Sequence, residues 1–157
     1  MKESQIFISY SHNDREYLDR LLIHLKPLEK EGLIDVWADT RLKAGDQWRV
    51  EIKKALDRAS VAILLVSADF LASDFITENE LPPLLRKAQE QGTRIIPVIL
   101  KPCRFARDKN LQQFQAFNNP SETVVRMTAG KQEKLYDALA AEVERLCTNV
   151  EKNERQA

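Results

Sequence analysis

The 157 residues carry 24 basic and 24 acidic side chains and 43% apolar residues, enough for one domain with one core. Zero formal net charge excludes a general polyanion binder, which needs a basic excess, and leaves little repulsion between copies near neutral pH. Two distant cysteines and two histidines argue against a cysteine-based metal site or a Ser-His-Asp triad, and the absence of a long apolar run argues against a membrane span.

In chain order, QIFIS at 5–9 reads as a first strand, followed by the turn Tyr10-Ser11-His12-Asn13. Asn13 and Glu16 have capping-box spacing ahead of a helix with Leu18, Leu21, Leu22 and Leu25 on one face, which Pro27 and Gly32 are expected to end. IDVWA at 34–38 is a second strand. A polar loop follows, with Asp46 as the N-cap of a helix that buries Trp48, Ile52, Ala55, Leu56 and Ala59. Val61 to Val66, apolar throughout and bounded by serines, reads as a third strand covered on both faces. Its helix is expected to start near Asn79, with Pro82 and Pro83 among the first positions and Leu81, Leu84, Leu85 and Ala88 on the buried stripe.

TRIIPVIL at 93–100 is a fourth strand, in which Pro97 implies an edge position or a bulge. Residues 101–121 read as a long loop with a short helix around Leu111 to Phe117. Residues 122–127 read as a short fifth strand, and a last helix runs through Leu135, Ala138, Leu139, Val143 and Leu146. The tail from 148 to 157 is polar and reads as a frayed end or a linker to a further domain. Strands alternating with helices predict an α/β fold: a flavodoxin-like three-layer sandwich whose five-stranded parallel sheet has the order 2-1-3-4-5.

Such sheets bind ligands just outside the carboxyl ends of their strands. The carboxylates after the third strand therefore stand out, Glu80 above all. Thr77 and Glu80 also have the spacing of a capping box, so Glu80 has a purely structural alternative, and Glu78 reads as a solvated charge or as the acid in its place. Ser9, Ser11 and Ser67 offer small polar groups near strand ends, and Arg41 offers a cation for phosphate or an ordinary loop charge. Trp37 and Trp48 are read first as core. His24 falls away from the leucine stripe and is expected to be exposed. No GxGxxG occurs, which argues against a dehydrogenase mode of dinucleotide binding.

FISYSHND at 7–14, DVWADTRLKAGDQW at 35–48 and LLVSADFLASDFITENEL at 64–81 together resemble the TIR domain (Toll/interleukin-1 receptor type) in its bacterial form, over residues 1–147. The resemblance implies one of two functions. Some TIR domains are non-catalytic interaction and signalling modules. Others cleave the nicotinamide–ribose bond of NAD+, often only when assembled, and a bacterial member of that kind acts as an immune effector. On the second reading NAD+ is the substrate and no cofactor is needed. Glu80 matches the catalytic glutamate, and Phe75 stands where an aromatic residue, often tryptophan, precedes it. Ser9, Tyr10 and Ser11 match the first loop, and Trp37, Asp39 and Arg41 match the approach to the "BB loop". The implied partners are NAD+ and other TIR domains in homo-oligomers or filaments, with no nucleic acid and no membrane; the expected location is the cytoplasm.

Overall fold

The computed structural model describes residues 3–38 and 47–156. Among the described residues four parallel strands form the sheet: β1 (Ser4–Ser9), β2 (Ile34–Trp37), β3 (Ala59–Val66) and β4 (Arg94–Ile99), in the order β2-β1-β3-β4. The helices are α1 (Arg15–Lys30), α2 (Trp48–Arg58), α3 (Ala68–Ala72), α4 (Leu81–Gln91) and α5 (Ala129–Gln156). The expected three-layer α/β sandwich follows from the period-2 alternation along the strands. Ile6, Ile8, Ile63, Leu65 and Val98 point to one face, where Leu18, Leu21 and Leu25 of α1 and Leu139 and Val143 of α5 meet them. Phe7, Ala62, Leu64 and Val66 point to the other, against Ile52 and Leu56 of α2 and Leu81 and Leu84 of α4. Covering on both faces is why β3 is apolar at nearly every position.

Residues 122–127 do not add a fifth strand. Val124–Arg126 form a 3-10 turn, and only the Val125 N–H reaches the sheet end, at the Leu100 carbonyl (2.8 Å). The outer edge of β4 is closed by other means. Buried Asn118 accepts the Ile99 N–H at its Oδ1 (2.9 Å) and donates from Nδ2 to the Ile99 carbonyl (3.0 Å), so one side-chain amide does the work of a neighbouring strand. The Phe117 N–H donates to the Pro97 carbonyl (2.7 Å). Pro97 thus occupies an edge strand, where its missing N–H costs no ladder bond.

Other local expectations shift in instructive ways. Pro27 lies inside α1, which runs on to Lys30. The helix ends at Gly32, whose φ of 74° supports a Schellman closure: Gly32 N–H bonds to the Glu29 carbonyl and Leu33 N–H to the Leu28 carbonyl. Asn13 does not cap α1; its amide donates to Asp69 (3.3 Å), and Ser11 accepts the Asn13 N–H instead. The loop after β4 holds a 3-10 turn at Phe105–Arg107 and an Asp108-capped turn, in place of a helix at 111–117. The backbone of α5 carries through the polar tail to Gln156.

His24 is not exposed. Its Nε2 lies 2.6 Å from Glu133 of α5, its ring packs on Tyr136, and Arg20 pairs with the same carboxylate. Arg20 first, and His24 next, hold the Glu133 carboxyl below its usual range.

The Asn118 closure generates a stability prediction. Asn118→Ala strands a buried donor and a buried acceptor on Ile99, each costing about 1–3 kcal/mol. A loss of about 2–4 kcal/mol in urea unfolding is expected, together with a rise in aggregation as the edge of β4 opens. Gly32→Ala, with open space around the added carbon but a left-handed backbone, is expected to lose about 1–2 kcal/mol.

Candidate functional site

In the order β2-β1-β3-β4 the chain leaves β1 towards β2 and leaves β3 towards β4. The carboxyl ends of β1 and β3 therefore flank a crevice at the switch point, the usual binding place of such sheets. Ser9, Tyr10 and Ser11 stand on one side of it; the segment from Ser67 to Glu80 stands on the other.

At the base of this crevice the carboxylate of Asp14 is completely buried. It accepts the Ser67 hydroxyl at 2.5 Å and the Lys101 ammonium at 2.8 Å. Ser67 also accepts the Phe70 N–H (3.1 Å), capping α3. The Lys101 ammonium lies 5.6 Å from the centre of the Tyr17 ring, and its hydrogen bond to Asp14 pushes its pKa up. One carboxylate therefore ties together the start of α1, the end of β3 and the end of β4. Asp14 and Lys101 were not candidates from the sequence, where each is an ordinary charge beside an element end. A lysine directly after the apolar fourth strand was the available signal. Ser67 uses its hydroxyl within this network and stands apart from the polar groups left open to a ligand.

The segment before α4 is built around two prolines. Its helical turns begin at Asp74, with Ser73 as N-cap accepting the Ile76 N–H (3.3 Å). Pro82 and Pro83 cannot donate to carbonyls one turn back, and their rings crowd those carbonyls. The backbone answers by widening: Ile76–Glu80 form a π-turn, and the Leu81 N–H bonds to the Ile76 carbonyl. Thr77 is inside this turn, its hydroxyl donating to the Ser73 carbonyl (3.0 Å), so Thr77 and Glu80 form no capping box. Glu80 closes the widened turn and is only 5% exposed, whereas Glu78 is exposed.

Glu80 lies between Ile76 and Leu81, both packed on the Phe7 face of the sheet. Ser9, two residues beyond Phe7, points to the same face; it is 1% exposed and its hydroxyl has no partner among the described residues. Trp37 stacks on Phe7 with ring centres 5.1 Å apart, and Phe75 is half-buried against the same cluster. The fold thus brings Glu80, Ser9, Trp37 and Phe75 to one face at the carboxyl end of the sheet. Tyr10 packs on the opposite face with α1, and Ser11 caps the turn at His12–Asp14. Asp39 and Arg41 lie outside the described residues, as do Asp46 and the side chain of Trp48. Among the described residues no group of His, Cys, Asp and Glu is arranged to hold a metal, and no helix is long and apolar enough to cross a membrane.

Comparison with known proteins gives a consistent picture. The family model of the TIR domain matches residues 6–128. The uncharacterized protein y4lF of Sinorhizobium fredii is 35% identical over 98 residues, which are 62% of this chain and 30% of that protein; the chain thus spans under a third of that relative. The TIR domain of the Toll-related receptor TRR-2 from Hydra magnipapillata superposes with a TM-score of 0.54 at 22% identity, over 72% of this chain and 82% of that one. The TIR domains of the activated Roq1 resistosome, which recognises the pathogen effector XopQ, superpose with a TM-score of 0.50 at 18% identity, over 88% of this chain and 84% of that one.

The Asp14 network yields a prediction with a pH signature. Lys101→Met leaves a buried carboxylate with Ser67 alone; for a pair with one partner half-exposed, a loss of about 1–3 kcal/mol is expected at pH 7. Lys101 has a raised pKa in the folded state, so its contribution is full below the ordinary value of 10.5 and fades as pH rises through the folded value. Chemical unfolding of both proteins from pH 7 upwards should show their stability difference shrinking above that range.

Proposed function

This chain belongs to the TIR domain family, and we propose that it works as an NAD+ glycohydrolase, cleaving the bond between nicotinamide and ribose with Glu80 as the catalytic carboxylate. One observation carries the reading. Glu80 is a nearly buried acid at the switch-point end of a parallel sheet, held by a π-turn of the kind often found at functional sites. The unpartnered, buried Ser9 hydroxyl on the same face supports it, since such a group is a natural contact for a ligand hydroxyl.

The chemistry fits a single carboxylate. Glycosidases commonly use two, one of which protonates the leaving group. Nicotinamide is cationic while attached and departs neutral, so it carries away the electron pair of the C–N bond without a general acid. Ionised Glu80 stabilises the positive charge that develops on the ribose, and water completes the reaction: NAD+ and water give ADP-ribose, nicotinamide and a proton. Trp37 and Phe75 supply flat apolar surface beside the departing ring. Asp39 and Arg41 are proposed to complete the substrate site from the loop after β2, with NAD+ as substrate and no cofactor.

We further propose that activity is gated by association with other TIR domains, as in a bacterial defence effector. Formal charge balance lets copies approach, and a head-to-tail contact at the loop-bearing end of the sheet gives open filaments unless it closes into a ring.

Two measurements test the proposal. Purified protein incubated with NAD+ should release nicotinamide, resolved by chromatography. Glu80→Gln should lower the rate by at least about 10²–10³ while leaving thermal unfolding nearly unchanged; near-normal turnover in that variant would remove Glu80 from the chemistry. Specific activity should also climb with protein concentration over about two decades. Strict proportionality of rate to concentration, with a monomer throughout by light scattering, would rule out gating by association.

A further inference from the structure

The Ser67 hydroxyl stands in the crevice wall, yet its bonding capacity is already committed. It donates its one hydrogen to the Asp14 carboxylate (2.5 Å), which is paired with the Lys101 ammonium, and it accepts the Phe70 N–H (3.1 Å). Neither Ser67 nor Asp14 has exposed surface. A buried hydroxyl bonded in this way has no hydrogen to offer a substrate.

What Ser67 does is join two layers of the sandwich. Asp14 stands at the start of α1, which packs on one face of the sheet. Phe70 is completely buried on the other face, in the cluster that holds Ile76 and Leu81 around Glu80. The helix carrying Phe70, α3, is five residues long, too short to persist without outside support. Its support is the Ser67 cap, and from there hydrogen bonds follow without a break to the candidate catalytic turn. The Ser73 N–H donates to the Phe70 carbonyl (3.2 Å), the Thr77 N–H to the Ser73 carbonyl (3.0 Å) and the Ile76 N–H to the Ser73 hydroxyl (3.3 Å). The Leu81 N–H then closes the π-turn on the Ile76 carbonyl. A second tie runs beside the first, from the Asn13 amide to Asp69 (3.3 Å). The loop that follows Ser9 thus grips, at its root, the segment that carries Glu80. A buried ion pair adds little net stability over an apolar core of the same volume, because desolvation offsets the attraction. What directed hydrogen bonds do supply is a fixed distance between the groups they join.

We propose that Ser67 is a positioning residue for the reaction: through its bond to Asp14 it sets the place of Glu80 opposite the Ser9 wall, without touching the substrate. The inference rests on the NAD+ reading for the reaction it serves. A carboxylate that stabilises a developing positive charge acts only from the right place, and a displacement of about 1 Å costs about 10² in rate. Binding of the whole dinucleotide is spread over many contacts and is less sensitive. Loss of the Ser67 hydroxyl therefore lowers kcat and leaves KM nearly alone.

The test compares steady-state nicotinamide release by the full chain with that of Ser67→Ala, Lys101→Met, Lys101→Arg and Thr93→Val, at a temperature where circular dichroism shows all of them folded. Hydrogen exchange of the free proteins is followed by mass spectrometry. Thr93→Val is the structural control: it too removes a buried hydroxyl, bonded to the Ala59 carbonyl (3.1 Å), but at the opposite end of the sheet. Ser67→Ala should lower kcat at least about tenfold with KM within about threefold, and should quicken exchange over residues 68–81 while the strands keep their protection. Lys101→Met should act in the same direction, and Lys101→Arg, which keeps the cation, should recover most of the loss. Thr93→Val should lower the melting temperature with kcat unchanged. If Ser67→Ala does not fold, the two lysine variants decide by the same criteria. An unchanged kcat in folded Ser67→Ala, or an equal fall in Thr93→Val, would overturn the proposal. A fall in kcat with exchange over 68–81 unaltered would make Ser67 a substrate contact and overturn it as well. A wild-type protein that leaves NAD+ intact, with faster exchange over 68–81 in Ser67→Ala but not in Thr93→Val, would reject the hydrolase reading and keep the hold of Ser67 on the Glu80 turn.

Discussion

The buried carboxylate of Asp14 is the constraint on which the working end of this molecule depends. Parallel strands release their chain at one end of the sheet, and nothing in the ladder itself holds the emerging segments together. Here an ionisable group with no exposed surface gathers three of them, through the Ser67 hydroxyl and the Lys101 ammonium. A charge in that position is tolerated only because it is paired and hydrogen-bonded. The arrangement therefore imposes geometry: displacing any one segment leaves an uncompensated charge in the interior.

From that anchor the chain is positioned stepwise. Ser67 caps α3, Ser73 caps the next helical turn, and the widened turn ahead of Pro82 and Pro83 delivers Glu80. On the facing strand, Ser9 is carried by the most central ladder, paired with β3 at Leu64. One side of the crevice is thus fixed by sheet register and the other by a succession of caps. A site built in this way presents its polar groups from rigid backbone, the condition under which fixed charges stabilise a reacting centre most effectively.

Much of this was legible in the sequence. Apolar runs and leucine stripes located the four strands and the long helices, because burial on both faces writes a strong local pattern. Glu80 was legible as a carboxylate after the third strand, and Pro97 as an edge residue. What escaped detection was non-local. Asn118 imitates a strand through its side chain, which leaves no periodicity, whereas the β-rich stretch at 122–127 has the local pattern of the strand that Asn118 makes unnecessary. The capping spacing of Thr77 and Glu80 was locally sound, but a helical turn already begun at Ser73 overrode it. His24 lies off the leucine stripe, yet α5 supplies a second partner for α1 that α1 alone cannot announce. The inwardness of Asp14 likewise depends on a lysine 87 positions away.

The π-turn has a further consequence for how such a site changes over evolutionary time. A regular helix advances about 100° per residue, and a widened turn accommodates one residue more than the α-helical repeat around it. The direction in which Glu80 faces is consequently a matter of phase, set by how many residues lie between Ser73 and the proline pair. Substitutions along the turn leave that number untouched. A single deletion or insertion there would turn the acid by about 100° relative to the sheet while leaving the buried leucines of α4 in place. In this segment the group held at the end of the turn is therefore expected to track changes in length, so that a relative with one residue fewer would retain the fold and place a different side chain there.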